Sequence, residues 1–268
     1  MSLADDPLSP DEREALRALI FTRSLLPLLE VVMDDRPAMA ARFARTRAAV
    51  QFRLDGADEP CVHLDFNRGA LRVVQGRHAS PDLDFVFDNL PNFNGFFAGK
   101  AVRPKIRGLA RHPLLLWRTS ALLGALRILT PEARVESPED RALYVKLVLR
   151  MITRAMSLLH RGGHPGMRQL AADSPDRVYQ WTVVESGEGV FLRMHAGRVR
   201  AGRGVYGRRR PFVSTTFPTV DAAFRVFTTT GSQMEAVVRG DVVPEGSPEY
   251  SRKISLMMQQ IDALLTGE

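Results

Sequence analysis

The chain has 268 residues, 45% of them apolar and 25% charged, enough for two ordinary globular cores and unlike a disordered composition. One cysteine, Cys61, excludes a disulfide framework and a thiol-rich zinc site. With the acidic opening MSLADDPLSPDERE, which lacks an apolar run before a cleavage site, it predicts a cytosolic protein. The net charge of +7 rests on 33 arginines and only four lysines, a bias that GC-rich coding alone produces, so charge by itself does not select nucleic acid as a partner.

The first helix signal is Ser9-Pro10-Asp11-Glu12, an N-cap serine, a proline at the first helical position and acids in the first turn. Apolar residues follow at helical spacing (Leu16, Leu19, Ile20), and Asp35-Arg36-Pro37 breaks the helix before a shorter one. Period-2 segments come next: Val50, Phe52, Leu54; Val62, Leu64, Phe66; Leu71, Val73; Leu83, Phe85, Phe87. Such alternation predicts antiparallel strands with one face buried, and Asn67-Arg68-Gly69 joins two of them as a hairpin. A short helix carries Phe93, Phe96 and Phe97, a strand ends at Arg107-Gly108, and the apolar stretch 112–129 closes the set as a helix. Arg118 and Arg127 interrupt that stretch, which is too short to cross a bilayer comfortably.

The same order then repeats. Ser137-Pro138-Glu139-Asp140 opens a helix that Gly163-His164-Pro165 breaks. Tyr179, Trp181, Val183; Val190, Leu192, Met194; Val199; and Val213, Thr215, Phe217 alternate, with His195-Ala196-Gly197 as the turn. Gly197 follows Gly69 by 128 residues, Ser137 follows Ser9 by 128, and GSQMEAVVRGD (231–241) lies over GKAVRPKIRGL (99–109) with Gly240 132 after Gly108. The sequence therefore predicts a duplication, with units at 1–135 and 136–268. Each is an α+β unit: a helical hairpin, then a mainly antiparallel sheet of about five strands with helices on one face. The match of Arg-Gly to Arg-Gly also predicts a strand through Met234–Arg239 in the second copy.

The stretches FPTVDAAFRVF, MEAVVRGDVV and GSPEYSRKISLMMQQIDALL, in this order, resemble the sterol carrier protein 2 (SCP2) family of lipid-binding domains, most closely over residues 211–266. The first copy resembles it more loosely, at SPDLDFVFDNLPNFNGFFAGKAVRPKIRG. It departs where Leu109 stands for Asp241, HPLLLW for SPEYSR and PNFNGFF for VDAAFRVF. The resemblance implies a fatty acyl, sterol-like or isoprenoid ligand held between sheet and helices, for carriage or presentation to a partner enzyme. On that expectation the ligand wall comprises Phe212, Phe217, Phe224, Phe227, Val237, Met257 and Met258 in the second copy, and Phe85, Phe87, Phe93, Phe96 and Phe97 in the first. Spacing alone reads the same residues as plain core.

No nucleophile signature is present, which argues for a non-catalytic role without a cofactor. Cys61, opening an alternating strand, reads as core. His160 and His164 are separated by Gly162-Gly163 and read as a turn, not a metal pair. Asp82 and Asp84 flank Leu83 and read as the solvated side of a strand. The sharpest charge feature is RVRAGRGVYGRRRP, where Arg198, Arg200, Arg203, Arg208, Arg209 and Arg210 form either a solvated hairpin edge or a contact for anionic lipid heads. Only Tyr206 is interleaved for base stacking, so nucleic acid is the weaker reading. The alternatives to a lipid binder are a scaffold or protein-partner module with solid cores, and an arginine-rich membrane-surface or nucleic-acid binder.

Overall fold

The computed structural model describes residues 8–130, 133–229 and 233–266. The chain divides into two compact units, Ser9–Arg127 and the remainder from Ile128 onward. In the N-terminal unit α1 (Pro10–Ile20) starts at a full capping box: the Ser9 hydroxyl accepts from the Glu12 N–H, and the Glu12 carboxylate accepts from the Ser9 N–H at 2.8 Å. A single π turn, Phe21–Leu25, leads to α2 (Leu28–Asp35), and Pro37 opens α3 (Pro37–Arg42). The C-terminal unit has one unbroken helix in the matching place, α6 (Pro138–Arg161), capped by Ser137 on the Asp140 N–H at 3.0 Å, then α7 (Pro165–Ala172).

Each unit holds one five-stranded sheet. In the first, β1 (Arg47–Leu54), β2 (Cys61–Asn67), β3 (Ala70–Gln75), β4 (Leu83–Phe87) and β5 (Lys105–Arg107) stand in the order β3-β2-β1-β4-β5. In the second, β6 (Asp176–Val183), β7 (Gly189–His195), β8 (Arg198–Arg203), β9 (Val213–Phe217) and β10 (Val243–Gly246) repeat it as β8-β7-β6-β9-β10. The hairpin turns agree in detail: Arg68 and Gly69 have φ of 50° and 90°, Ala196 and Gly197 of 49° and 68°, two consecutive left-handed residues as a two-residue loop requires. One pairing in each sheet is parallel, β1 with β4 and β6 with β9. Alternation alone does not reveal this: β4 and β9 reach the far side of the central strand by a crossover, so they run with it.

The inner face of the first sheet, Val50, Phe52, Leu64, Phe66, Leu83, Phe85 and Phe87, is buried. The helix α4 (Leu90–Phe97) is capped by Asn89, and its counterpart α8 (Val220–Thr228) by Thr219. The units close with α5 (Pro113–Gly124) and α10 (Pro248–Thr266). No described helix is long and apolar enough to cross a membrane.

The expected strand through Met234–Arg239 is instead a helix, α9 (Gln233–Val238), and the fifth strand of that sheet is β10. Gly231, where the expected match began, lies outside the described residues. The register identifies the true counterpart of Gly108. Gly246 pairs with Val213, and Arg107 with Asp84, so Gly108 stands opposite Leu83 as Gly246 stands opposite Val213. The offset there is 138, not 132; since β9 and α8 follow β4 and α4 by 130, the second copy carries eight extra residues before its fifth strand, and α9 lies within them.

Candidate functional site

In the N-terminal unit the five phenylalanines named from the sequence come together. Phe85 stacks on Phe52 at 4.7 Å, Phe87 meets Phe93 at 5.2 Å and Phe96 at 5.3 Å, and Phe97 meets Phe93 at 5.1 Å and Phe21 at 5.9 Å. Tilted and edge-to-face contacts of this kind form a continuous ring network.

In the C-terminal unit the named set divides. Phe217 and Phe227 touch at 5.3 Å between β9 and α8. Phe224 lies edge-on to Tyr144 of α6 at 5.1 Å, with the Arg141 guanidinium 5.7 Å from its ring. Phe212 belongs to another cluster, 5.3 Å from Tyr250, where Arg177 lies 4.2 Å and 3.9 Å from the two rings. On α10, Met257 is buried and Met258 half-buried; Val237, assigned to a strand by sequence, is on α9 and 36% exposed.

The duplication makes the two inner faces comparable position by position. Thr215 stands for Phe85, Ala223 for Phe93 and Val226 for Phe96, each 130 residues on. Smaller side chains replace three members of the ring network. Phe224, Val226 and Phe227 remain half-buried, and the neighbouring α9 shows Met234 at 70% and Val238 at 80% exposure. Apolar surface thus collects on the α8–α9 segment of one unit.

The outer faces also correspond. Gln51 Oε1 accepts from the His78 N–H at 2.7 Å, and Gln180 Oε1 from the Tyr206 N–H at 2.8 Å, so the loops after β3 and β8 cross their sheets alike. The rings beneath match, His63 with His78 at 5.1 Å and Phe191 with Tyr206 at 5.0 Å. Asp84, expected on a solvated side, is only 7% exposed. It accepts from Arg53 Nε and Nη2 at 3.1 and 3.0 Å and from Gln51 at 2.9 Å, because the loop covers that face. Asp82 is half-buried and accepts from the Ala49 N–H at 2.8 Å. Cys61 is buried, and burial pushes its thiol up from the usual range. His164 caps α7 after the Gly162-Gly163 turn, its Nδ1 facing the Met167 N–H at 3.3 Å. Among the described residues no group of three or more His, Cys, Asp or Glu is placed to hold a metal ion.

Arg198, Arg200, Arg203, Arg208, Arg209 and Arg210 are all exposed. Arg209 forks onto Asp176 at 2.6 and 2.8 Å and Arg210 reaches Glu245 at 3.3 Å, on the walls of an open groove of about 540 Å³ with Val178, Pro211 and Phe212. Desolvation works to raise the Asp176 carboxyl, but hydrogen bonds and charge from Arg209 and Arg193 hold it below the usual range. The sequence reading did not single out Asp176 or Arg193, and it placed in the turn the last residue of β7, His195. The period-2 run of β7 could have found the last two, since they alternate with buried Leu192 and Met194.

No family model and no curated protein matches the chain. Among solved structures, the inverting sec-alkylsulfatase Pisa1 from Pseudomonas sp. is similar at 15% identity and a TM-score of 0.27, over 56% of this chain and 28% of that one. A double mutant of the same enzyme gives 14% identity and a TM-score of 0.26, over 55% and 28%. The chain thus spans little more than a quarter of those structures, and overlap at this level fixes neither fold nor activity for it.

Proposed function

We propose that this is a cytosolic, non-catalytic lipid binder whose C-terminal unit takes a hydrophobic chain between β9, α8 and α10, for carriage or presentation to a partner enzyme. The observation that supports this is the replacement of Phe85, Phe93 and Phe96 by Thr215, Ala223 and Val226, beside an apolar α8–α9 surface left half-covered. Burial of a chain contributes about 0.8 kcal/mol per methylene, so ten carbons supply several kcal/mol before ordering costs are met. Methionine at positions 257 and 258 provides an adaptable wall. A second reading applies to the N-terminal unit: its unbroken ring network suits a structural partner with a solid core.

Restoring the N-terminal pattern tests the proposal. With room beside α8, Ala223→Phe should leave the melting temperature nearly unchanged and abolish uptake of a fluorescent fatty acid. In a solid core the same change overpacks, costing about 1–3 kcal/mol. Destabilisation of that size, with no probe uptake by the unmodified protein and no lipid in its organic extract by mass spectrometry, would leave the scaffold reading in its place.

A further inference from the structure

The register of β7 with β8 sets like charges against each other on the outer face of the C-terminal sheet. Arg193 stands directly opposite Arg200, and His195 opposite Arg198. Like charges directly opposed across an antiparallel pair are destabilising. The other unit offers a built-in comparison, because the same register positions there, 128 residues earlier, hold Asp65 opposite Arg72 and Asn67 opposite Ala70. One copy has a complementary pair where the other has two guanidiniums. Asp176 offsets part of this charge, accepting from Arg193 at 3.3 Å and from Arg209, with His195 at 3.4 Å. Arg198 and Arg200 have no such carboxylate among their cross-strand neighbours, since each faces a basic residue.

The loop that crosses this face adds to it. Tyr206 is anchored through its N–H on Gln180, and the chain on either side carries Val205, 63% exposed, with Arg208 exposed nearby. An apolar tip among guanidiniums fits the headgroup boundary of a bilayer. The aromatics of this face are already engaged with each other, Phe191 edge-on to Tyr206, and so are not free as stacking platforms for bases.

We infer that the outer face of the C-terminal sheet, with the β8–β9 loop, docks the protein on an anionic lipid bilayer, whether or not the interior takes a ligand. The opposed arginines are then held apart by lipid phosphates and carboxylates lying between them, which the isolated protein lacks.

The test is flotation of the full chain with vesicles of phosphatidylcholine alone or with about one-third phosphatidylserine, at about 0.05 and 0.5 M salt. Recovery should require the anionic lipid and fall with salt. Arg200→Asp places opposite Arg193 the kind of pair found at Asp65 and Arg72, so the fold should be at least as stable while vesicle affinity falls about 30-fold, as expected for two units of charge. Arg68→Asp, on the exposed hairpin turn of the N-terminal unit, makes the same change in net charge and should leave flotation unaltered. Equal recovery with neutral vesicles, equal losses for the two variants, or tighter binding of duplex or single-stranded DNA than of anionic vesicles at matched salt would each overturn the inference.

Discussion

Gly108 and Gly246 each end the fifth strand of a sheet with a left-handed backbone, φ of 85° and 104°. A Cβ at Gly108 would overlap the Asp82 carbonyl oxygen, and one at Gly246 the Phe212 carbonyl oxygen. At Gly240, also left-handed at 75°, nothing lies within 4 Å. Alanine at 108 or 246 should therefore cost more than the roughly 1–2 kcal/mol of left-handed strain alone, while Gly240→Ala should cost only that. Denaturant melts of the three variants would check the order; equal losses at 240 and 246 would argue against the pairing of Gly108 with Gly246. It follows that Leu109 corresponds to Ser247, and that Asp241 belongs to the inserted segment. There its buried carboxylate accepts from Arg225 and from Arg239, at 2.9 Å for the latter, and these bonds hold its pKa below the usual range. A depressed folded pKa means stability present above the unfolded value and lost as pH falls through the folded one. Asp241→Asn should thus melt lower near neutral pH and show a shallower loss of melting temperature below the ordinary carboxylate range, measured by melts across acid pH.

Among the elements, strands β1 to β4 and β6 to β9 were legible because the inner face of each sheet takes an apolar residue at almost every second position, which alternation reports directly. Helix α9 was not. Its Gln-Met-Glu-Ala start consists of good helix formers, but the Arg-Gly that follows it copies the end of β5 and drew the register six residues astray. For the candidate residues, spacing reported which share an element and not which partners they meet. Spacing put Phe224 and Phe227 on one helix face, yet whether they meet each other or Tyr144 and Phe217 depends on α6 and β9, which are remote in sequence. The burial of Asp84 was likewise invisible, since it comes from a loop that folds over the strand. The matched caps of α4 and α8 give a prediction at this scale. Asn89→Ala and Thr219→Ala should each lower stability by about 1 kcal/mol, checked by urea melts, and Asn89→Gly and Thr219→Gly should lower it less.

The molecule as a whole is two copies of one topology, each with its own sheet and its own buried centre, Phe52 in one and Trp181 in the other. Phe52→Ala and Trp181→Ala should each cost about 3–5 kcal/mol, and in calorimetry each should lower a different part of the unfolding profile. A single transition moved equally by both would show the units to be one cooperative body. The two copies also share a glutamine that grips the loop crossing the outer sheet, on a histidine in one copy and a tyrosine in the other. Because the grip is on the backbone N–H, it is indifferent to the side chain it holds and to the length of loop beyond it, 76–82 in one copy and 204–212 in the other. It behaves as a socket accepting interchangeable cartridges: a change of surface chemistry needs only a new loop, with no change to the sheet beneath.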